Sequence, residues 1–293
     1  MATDPLFLAQ LAANGLSVGL GYALAAIGLA LIFGILGQVN IAHGELYMLG
    51  AFLLLSGMQT LGLPYAAAAL AVIAVMALAG TAIAQGIIVP NLERGFEPVV
   101  IGTLALAIIL QNAVRLTFGA TPLDVAAPLE ARVVEIAGVL FFGQRLLVCA
   151  AFVAAFAGLS AFLRYSEIGR AMRAMAQNRE ACQMVGIDVA RVARWTGALG
   201  AALVGLAAVV IAPLFDLYPN MGTDVVIKSF AVVIIGGMGN VWGAAFAGIA
   251  LGVAESYAGG LGNAALRDAI AFVAMMVMLL ARPEGLFGKT VRV

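Results

Sequence analysis

The sequence predicts an all-α protein, a polytopic membrane helical bundle with one or two broken or re-entrant helices. Three observations carry that prediction. The chain of 293 residues is 64% hydrophobic and only 10% charged, whereas soluble domains run at about 45–50% apolar and about 25% charged. That composition excludes a conventional soluble globule and excludes disorder. The charges are also unevenly placed, with none between Asp4 and Glu45 and none between Glu45 and Glu93. Finally, Gly and amide residues interrupt two of the apolar stretches.

A membrane-spanning helix needs about 20 mostly apolar residues. The uncharged runs place helices near 8–36, 45–61, 65–89, 98–118, 137–163, 195–215 and 264–282, with a Gly-interrupted segment at 227–256. Gly62-Leu63-Pro64 divides the second long run into two helices. All of this reads as one transmembrane domain over 1–293, in contact with membrane lipids. The N-terminal run lacks a basic n-region and is too long for the h-region of a cleaved signal peptide. Gly15 and Gly19, and again Gly248 and Gly252, sit four apart. That spacing permits close helix approach, but with 35 glycines in the chain it carries little weight.

Lys and Arg placement sets orientation. The loop 164–194 carries Arg164, Arg170, Arg173, Arg179, Arg191 and Arg194 and reads as cytoplasmic. The tail, with Arg282, Lys289 and Arg292, reads the same way. The segments with Asp124, Glu130 and Glu135, and with Asp216 and Asp224, read as external. The C-terminus is therefore expected in the cytoplasm and the N-terminus in the periplasm. From an external turn at 216–226, two full spans would leave the C-terminus outside. The simplest repair makes 227–256 re-entrant, breaking at Gly236-Gly237-Met238-Gly239-Asn240. Irregular backbone at membrane depth survives only where it is buried in protein or lines a wet cavity, which marks this segment as part of a pathway. A similar break runs from Gly34 through Gln38, Asn40, His43 and Gly44 to Glu45. Such interruptions point to a transport site, so Asn40, His43, Glu45, Gly237, Gly239 and Asn240 are the candidate pathway residues. Of these, Asn40 and Asn240 also suit helix caps.

The residues for covalent chemistry are missing. Gly285-Leu-Phe-Gly288-Lys289-Thr290 is too short at its start for a P-loop. One histidine and two cysteines, Cys149 and Cys182, supply no metal site, disulfide framework or proteolytic pair. With 15 basic and 15 acidic residues, no net field recruits nucleic acid. The chain reads as a transport subunit and not as an enzyme. Glu255 is expected at a membrane surface, and Arg115 and Lys228 are expected to snorkel to the interface.

Between two spans, Ser166 and Asp188 suit helix N-caps and Gly186 a C-cap. Ile168, Met172 and Met175 fall at helical spacing. Composition alone leaves open whether this loop is a surface helix or a dock. Glu180-Ala181-Cys182-Gln-Met-Val-Gly186 resembles the EAA…G loop of ABC-importer permeases. Four blocks resemble the LivH-type branched-chain amino-acid permeases. They are Asn40–Ala51, Gly169–Ile187, Gly236-Gly237-Met238-Gly239-Asn240 followed by Gly243-Ala244, and Arg282-Pro283-Glu284-Gly285-Leu286-Phe287-Gly288. The blocks lie in family order.

The resemblance implies a cytoplasmic coupling helix that inserts into an ATPase groove. Arg170, Arg173, Asn178, Arg179, Glu180, Ala181 and Gly186 would be its coupling residues, with Met172, Met175 and Met184 packing in the groove. It implies a bacterial inner-membrane importer with two ATPase subunits, a second LivM-like permease or a homodimer partner, and a periplasmic solute-binding protein. ATP and Mg2+ would sit on the partners, so no cofactor is expected in this chain. A branched-chain amino acid is the expected solute. Urea or a short amide is the alternative, and a stand-alone secondary transporter is the reading from another class.

Overall fold

The computed structural model describes residues 4–129 and 132–288. Glu130, Lys289 and Arg292 lie outside the described residues. The elements follow in chain order. Helix α1 (Pro5–Leu36) and α2 (His43–Gln59) come first, and α3 (Tyr65–Ile83) continues through a π-helical turn (Ala84–Ile88) into α4 (Val89–Asn91). Next are α5 (Glu97–Phe118), the strands β1 (Val133–Ile136) and β2 (Val139–Phe142), and α6 (Gly143–Tyr165). The short α7 (Glu167–Met175) and α8 (Arg179–Met184) precede α9 (Val189–Ile211), which ends in a 3-10 turn. Last come α10 (Met221–Gly236), α11 (Val241–Leu261) and α12 (Ala264–Ala281).

Among the described residues, six helical stretches are long and apolar enough to cross a membrane: Pro5–Leu36, Tyr65–Asn91, Glu97–Phe118, Gly143–Tyr165, Val189–Leu214 and Val241–Leu261. Two boundaries differ from the sequence expectation. The stretch from 137 is not helical at first. β1 and β2 form an antiparallel hairpin in which Ile136 pairs with Val139, and the helix begins only at Gly143. The strands are rich in β-branched and aromatic residues, Val133, Val134, Ile136 and Val139 with Phe141 and Phe142, and both residues of the Ala137-Gly138 turn between them have positive φ. The segment 227–256 has wider bounds than expected, 221–261, and breaks within the expected Gly236–Asn240. It is a helical hairpin of α10 and α11, folded at Gly237–Asn240.

The hairpin end of the bundle carries Asp4, β1–β2 and the Gly62 turn. The loop end carries α7, α8 and the C-terminal residues 282–288. Asp4 and Gly288 therefore lie at opposite ends. Three helices follow α9, and the first of them, α10, starts inside the bundle after the non-helical segment 215–220.

The packing repeats with reversed direction. α1 lies along α11 and α9 lies along α3, while α2 packs on α9 and α10 packs on α1. Small residues carry both main contacts. A Cβ on Gly19 would lie 2.8 Å from the Gly248 carbonyl oxygen, and one on Gly15 2.6 Å from Val253 Cα. In the other half, Gly80 and Gly197 each occupy space that the other's side chain would need. The four-residue Gly spacing is thus a real helix interface, in which backbones approach closely enough for dispersion to hold them without a hydrophobic drive.

Candidate functional site

The first break is built by a glycine. α1 ends at Gly37 (φ 63°), whose N–H donates to the Phe33 carbonyl. That left-handed cap turns the chain back along α1. The next five residues return to the depth of Ala25, where α2 begins. Thr103 Oγ1 on α5 accepts from the Ile41 N–H at 3.2 Å, holding the returning segment in place. Asn40, His43 and Glu45 are all buried along it. His43 Nε2 lies 2.9 Å from the Ala25 carbonyl. A carbonyl only accepts, so Nε2 carries the proton. Nδ1 of His43 and Oδ1 of Asn40 are buried without a hydrogen-bond partner among the described residues.

Glu45 lies in the first turn of α2 and points at the first turn of α10. Thr223 Oγ1 donates to Glu45 Oε1 at 3.4 Å, and Oε2 has no partner among the described residues. Two helix N-termini thus converge on one carboxylate. α2 and α10 cross at Gly44 and Gly222. A side chain at Gly44 would occupy the Gly222 carbonyl, and one at Gly222 would meet the Glu45 carboxylate.

The second predicted break lies elsewhere. Gly237 (φ 101°) and Gly239 (φ 81°) form a turn at the loop end. Asn240 Oδ1 accepts from the Gly243 N–H at 3.0 Å and so caps α11, while Asn240 Nδ2 donates to the Phe287 carbonyl at 2.8 Å. The N–H groups of Leu286 and Phe287 donate to the carbonyls of Ile235 and Gly236. The C-terminal stretch is thereby sewn onto the turn. The structure brings Asn40, His43 and Glu45 together along one segment and leaves Gly237, Gly239 and Asn240 at the end of the bundle.

Between α1, α10 and α12 lies a cavity of about 530 Å3, also lined by Tyr47 of α2 and by residues of 211–218. Behind its wall, Glu255 Oε2 accepts from Tyr22 Oη at 2.8 Å and from Lys228 Nζ at 3.0 Å, and Arg267 Nε lies 3.9 Å away. Two expectations are corrected here. Glu255 is buried, not at a surface, and Lys228 turns inward to it. Their mutual attraction, with the Tyr22 hydroxyl, offsets the desolvation that would otherwise push both to the interface.

The loop is formed by successive caps. Ser166 Oγ accepts from the Gly169 N–H, Asn178 Oδ1 from the Ala181 N–H and Asp188 Oδ1 from the Arg191 N–H, opening α7, α8 and α9. Gly186 (φ 82°) lets the chain turn after α8. Met172, Met175 and Cys182 are buried against the chain's own helices, so the two methionines are not available to a groove. Arg179 also turns inward, donating to the Leu92 carbonyl at 2.9 Å. Arg170, Arg173, Asn178, Glu180 and Gly186 are exposed, and Ala181 is half-buried. The tip carries Met184 and Val185, 83% and 76% exposed.

Residues 11–280 match the family model described as branched-chain amino acid transport system, permease component. The chain belongs to that permease family. The permease is 30% identical to the high-affinity branched-chain amino acid transport system permease protein LivH of Salmonella typhimurium, over 99% of this chain and 98% of the relative. It is 32% identical to BraD of Pseudomonas aeruginosa, over 97% and 96%. It is 27% identical to a probable LivH of Methanocaldococcus jannaschii, over 90% and 88%. With its apolar helices, the permease is a multi-pass integral membrane protein. The Tyr22–Lys228–Glu255–Arg267 network is not legible in the sequence. Its members lie on four helices, and the only available signal was an acid and two bases inside or beside apolar runs.

Proposed function

We propose that this permease is the membrane subunit of an ABC importer of the inner membrane, and that it passes branched-chain amino acids delivered by a periplasmic binding protein. The family match over residues 11–280 carries the reading, and the exposed tip of the loop supports its coupling half. In this reading the loop end faces the cytoplasm, and two ATPase subunits dock there. A second permease, LivM-like or identical, completes the pathway. Met184 and Val185 form the apolar contact with the ATPase, and Arg173 and Glu180 flank it with charge.

The route of coupling is mechanical. α8 leads through Gly186 into the Asp188 cap of α9, so a push on the tip bears on α9. α9 packs on α1, α2 and α3. It therefore contacts the elements that hold the first break, where unpartnered polar atoms leave room for rearrangement. Asn40, His43 and Glu45 are the pathway residues in this proposal. Gly237, Gly239 and Asn240 anchor the loop end.

Reconstitution with the partner subunits tests the reading. ATP-dependent leucine uptake is expected, with urea neither transported nor competing. Glu180→Arg and Gly186→Trp are expected to cut uptake by at least about tenfold while membrane insertion and the monodisperse complex persist. Uptake that continues without ATP under an imposed ion gradient rejects the ABC reading. Unchanged uptake in both variants rejects the docking tip.

A further inference from the structure

We propose that the cavity between α1, α10 and α12 is an amino-acid site inside the permease itself. In it, Arg267 receives the carboxylate of the solute and Asp224 its ammonium group. The identity of the solute rests on the amino-acid reading above, but the site is argued from its own lining.

Arg267 carries the argument. It lies in the first turn of α12 and lines the cavity. Its guanidinium has five donors in a rigid fork and cannot shed its charge. Among the described residues its only close polar contact is the 3.9 Å ion pair with Glu255, beyond hydrogen-bond length. Oε2 of that carboxylate already accepts from Tyr22 and Lys228. The 3.9 Å pair leaves the Arg267 fork without a hydrogen bond among the described residues, and that planar fork matches a carboxylate in two-point contact.

Acidic groups line the same cavity. Asp216 and Asp224 contribute to its wall, and the Tyr218 hydroxyl donates to Asp224 Oδ2 at 2.6 Å, holding that carboxylate in place. A simple anion would meet their repulsion, and a simple cation would meet Arg267. A solute with both charges satisfies both walls. Ile211, Met221, Val225 and Phe272 supply the remaining surface, which suits an aliphatic side chain. The volume of about 530 Å3 falls within the range of small-molecule sites and leaves space for water beside one amino acid. Urea, uncharged and without an apolar part, uses neither feature.

A cysteine probe tests the site in the full importer, reconstituted in phosphatidylcholine with its ATPase, partner permease and binding protein. Cys149 and Cys182 are first replaced by serine, and Phe272→Cys is then introduced on the cavity wall. Leucine is expected to slow the reaction of that cysteine with a charged thiol reagent. Leucinamide lacks the carboxylate, 4-methylpentanoate lacks the ammonium group, and neither should protect. Arg267→Gln should abolish protection and raise the leucine concentration for half-maximal ATP-driven uptake by about tenfold. Arg267→Lys should restore part of both, and this excludes a folding defect as the cause. Leucine uptake with no protection, and with Arg267→Gln unchanged, overturns the site and leaves the importer reading standing. Protection without ATP-driven uptake keeps the site and overturns the importer reading. Protection by added phosphatidylglycerol in place of leucine also overturns the proposal, because a lipid headgroup would then be the ligand of Arg267.

Discussion

The two Gly- and Asn-containing interruptions look alike in sequence and do opposite things. At Gly37–Ala42 the chain turns back into the bundle, and α2 starts at the depth of Ala25 with His43 and Glu45 buried. At Gly237–Asn240 the chain makes a tight turn at the loop end, with its polar groups capped and tied to Phe287. The residues before and after each turn make the difference. After Gly37, five residues outside the helices are held by Thr103 and reach far enough to change depth. After Gly237, Asn240 caps a new helix at once, so no depth is gained. An interruption marks a candidate pathway only when its polar atoms are left buried and unpartnered.

Substitutions can break or sharpen this contrast. The largest effect is expected at the crossing of α2 and α10. Gly44→Val would drive a side chain into the Gly222 backbone, and backbone at a helix crossing cannot swing aside as a side chain can. Overpacking typically costs about 1–3 kcal/mol and can cost more, so the yield of monodisperse permease should collapse. A normal yield would show that the two half-helices separate easily. Asn240→Ala comes next. It removes the α11 cap and the tie to Phe287, about 1–2 kcal/mol together. The midpoint of thermal unfolding in detergent should fall by a few degrees while ATP-driven uptake persists. Loss of uptake with an unchanged midpoint would put this turn in the pathway and erase the contrast. The smallest effect is expected for Gly37→Ala. A Cβ there meets nothing within 4 Å, so only the left-handed φ is penalised, by about 1 kcal/mol. Gly37→Asn should recover part of the lost midpoint, because Asn tolerates that conformation.

Much of the loop was legible because its signals are local. Ser166, Gly186 and Asp188 cap the helices that their residue types announce, and Met172 and Met175 fall on one helix face, as their spacing predicts. The same spacing gave no warning that the body of this chain, and not a partner, covers those two methionines. In the candidate site, His43 and Glu45 stood out as ionisable groups in an apolar stretch. The reversal of Lys228 and Glu255 was not legible, because an isolated charge is expected to snorkel until a partner 27 residues away is placed beside it.

By itself the sequence determined that this is a helical membrane protein, where most of its spans lie, which loop is capped and basic, and, through four dispersed blocks, the family to which it belongs. These follow from composition, local hydrogen-bonding chemistry and residue order, none of which needs a distant partner. The tertiary structure decided which glycines meet, that one interruption carries its residues to depth while the other closes a turn, and that Tyr22, Lys228 and Arg267 on the lining of a cavity share the Glu255 carboxylate behind it. Helix packing brings residues more than 200 positions apart into contact. Whether a polar group there is paired or left open depends on the neighbour that packing supplies.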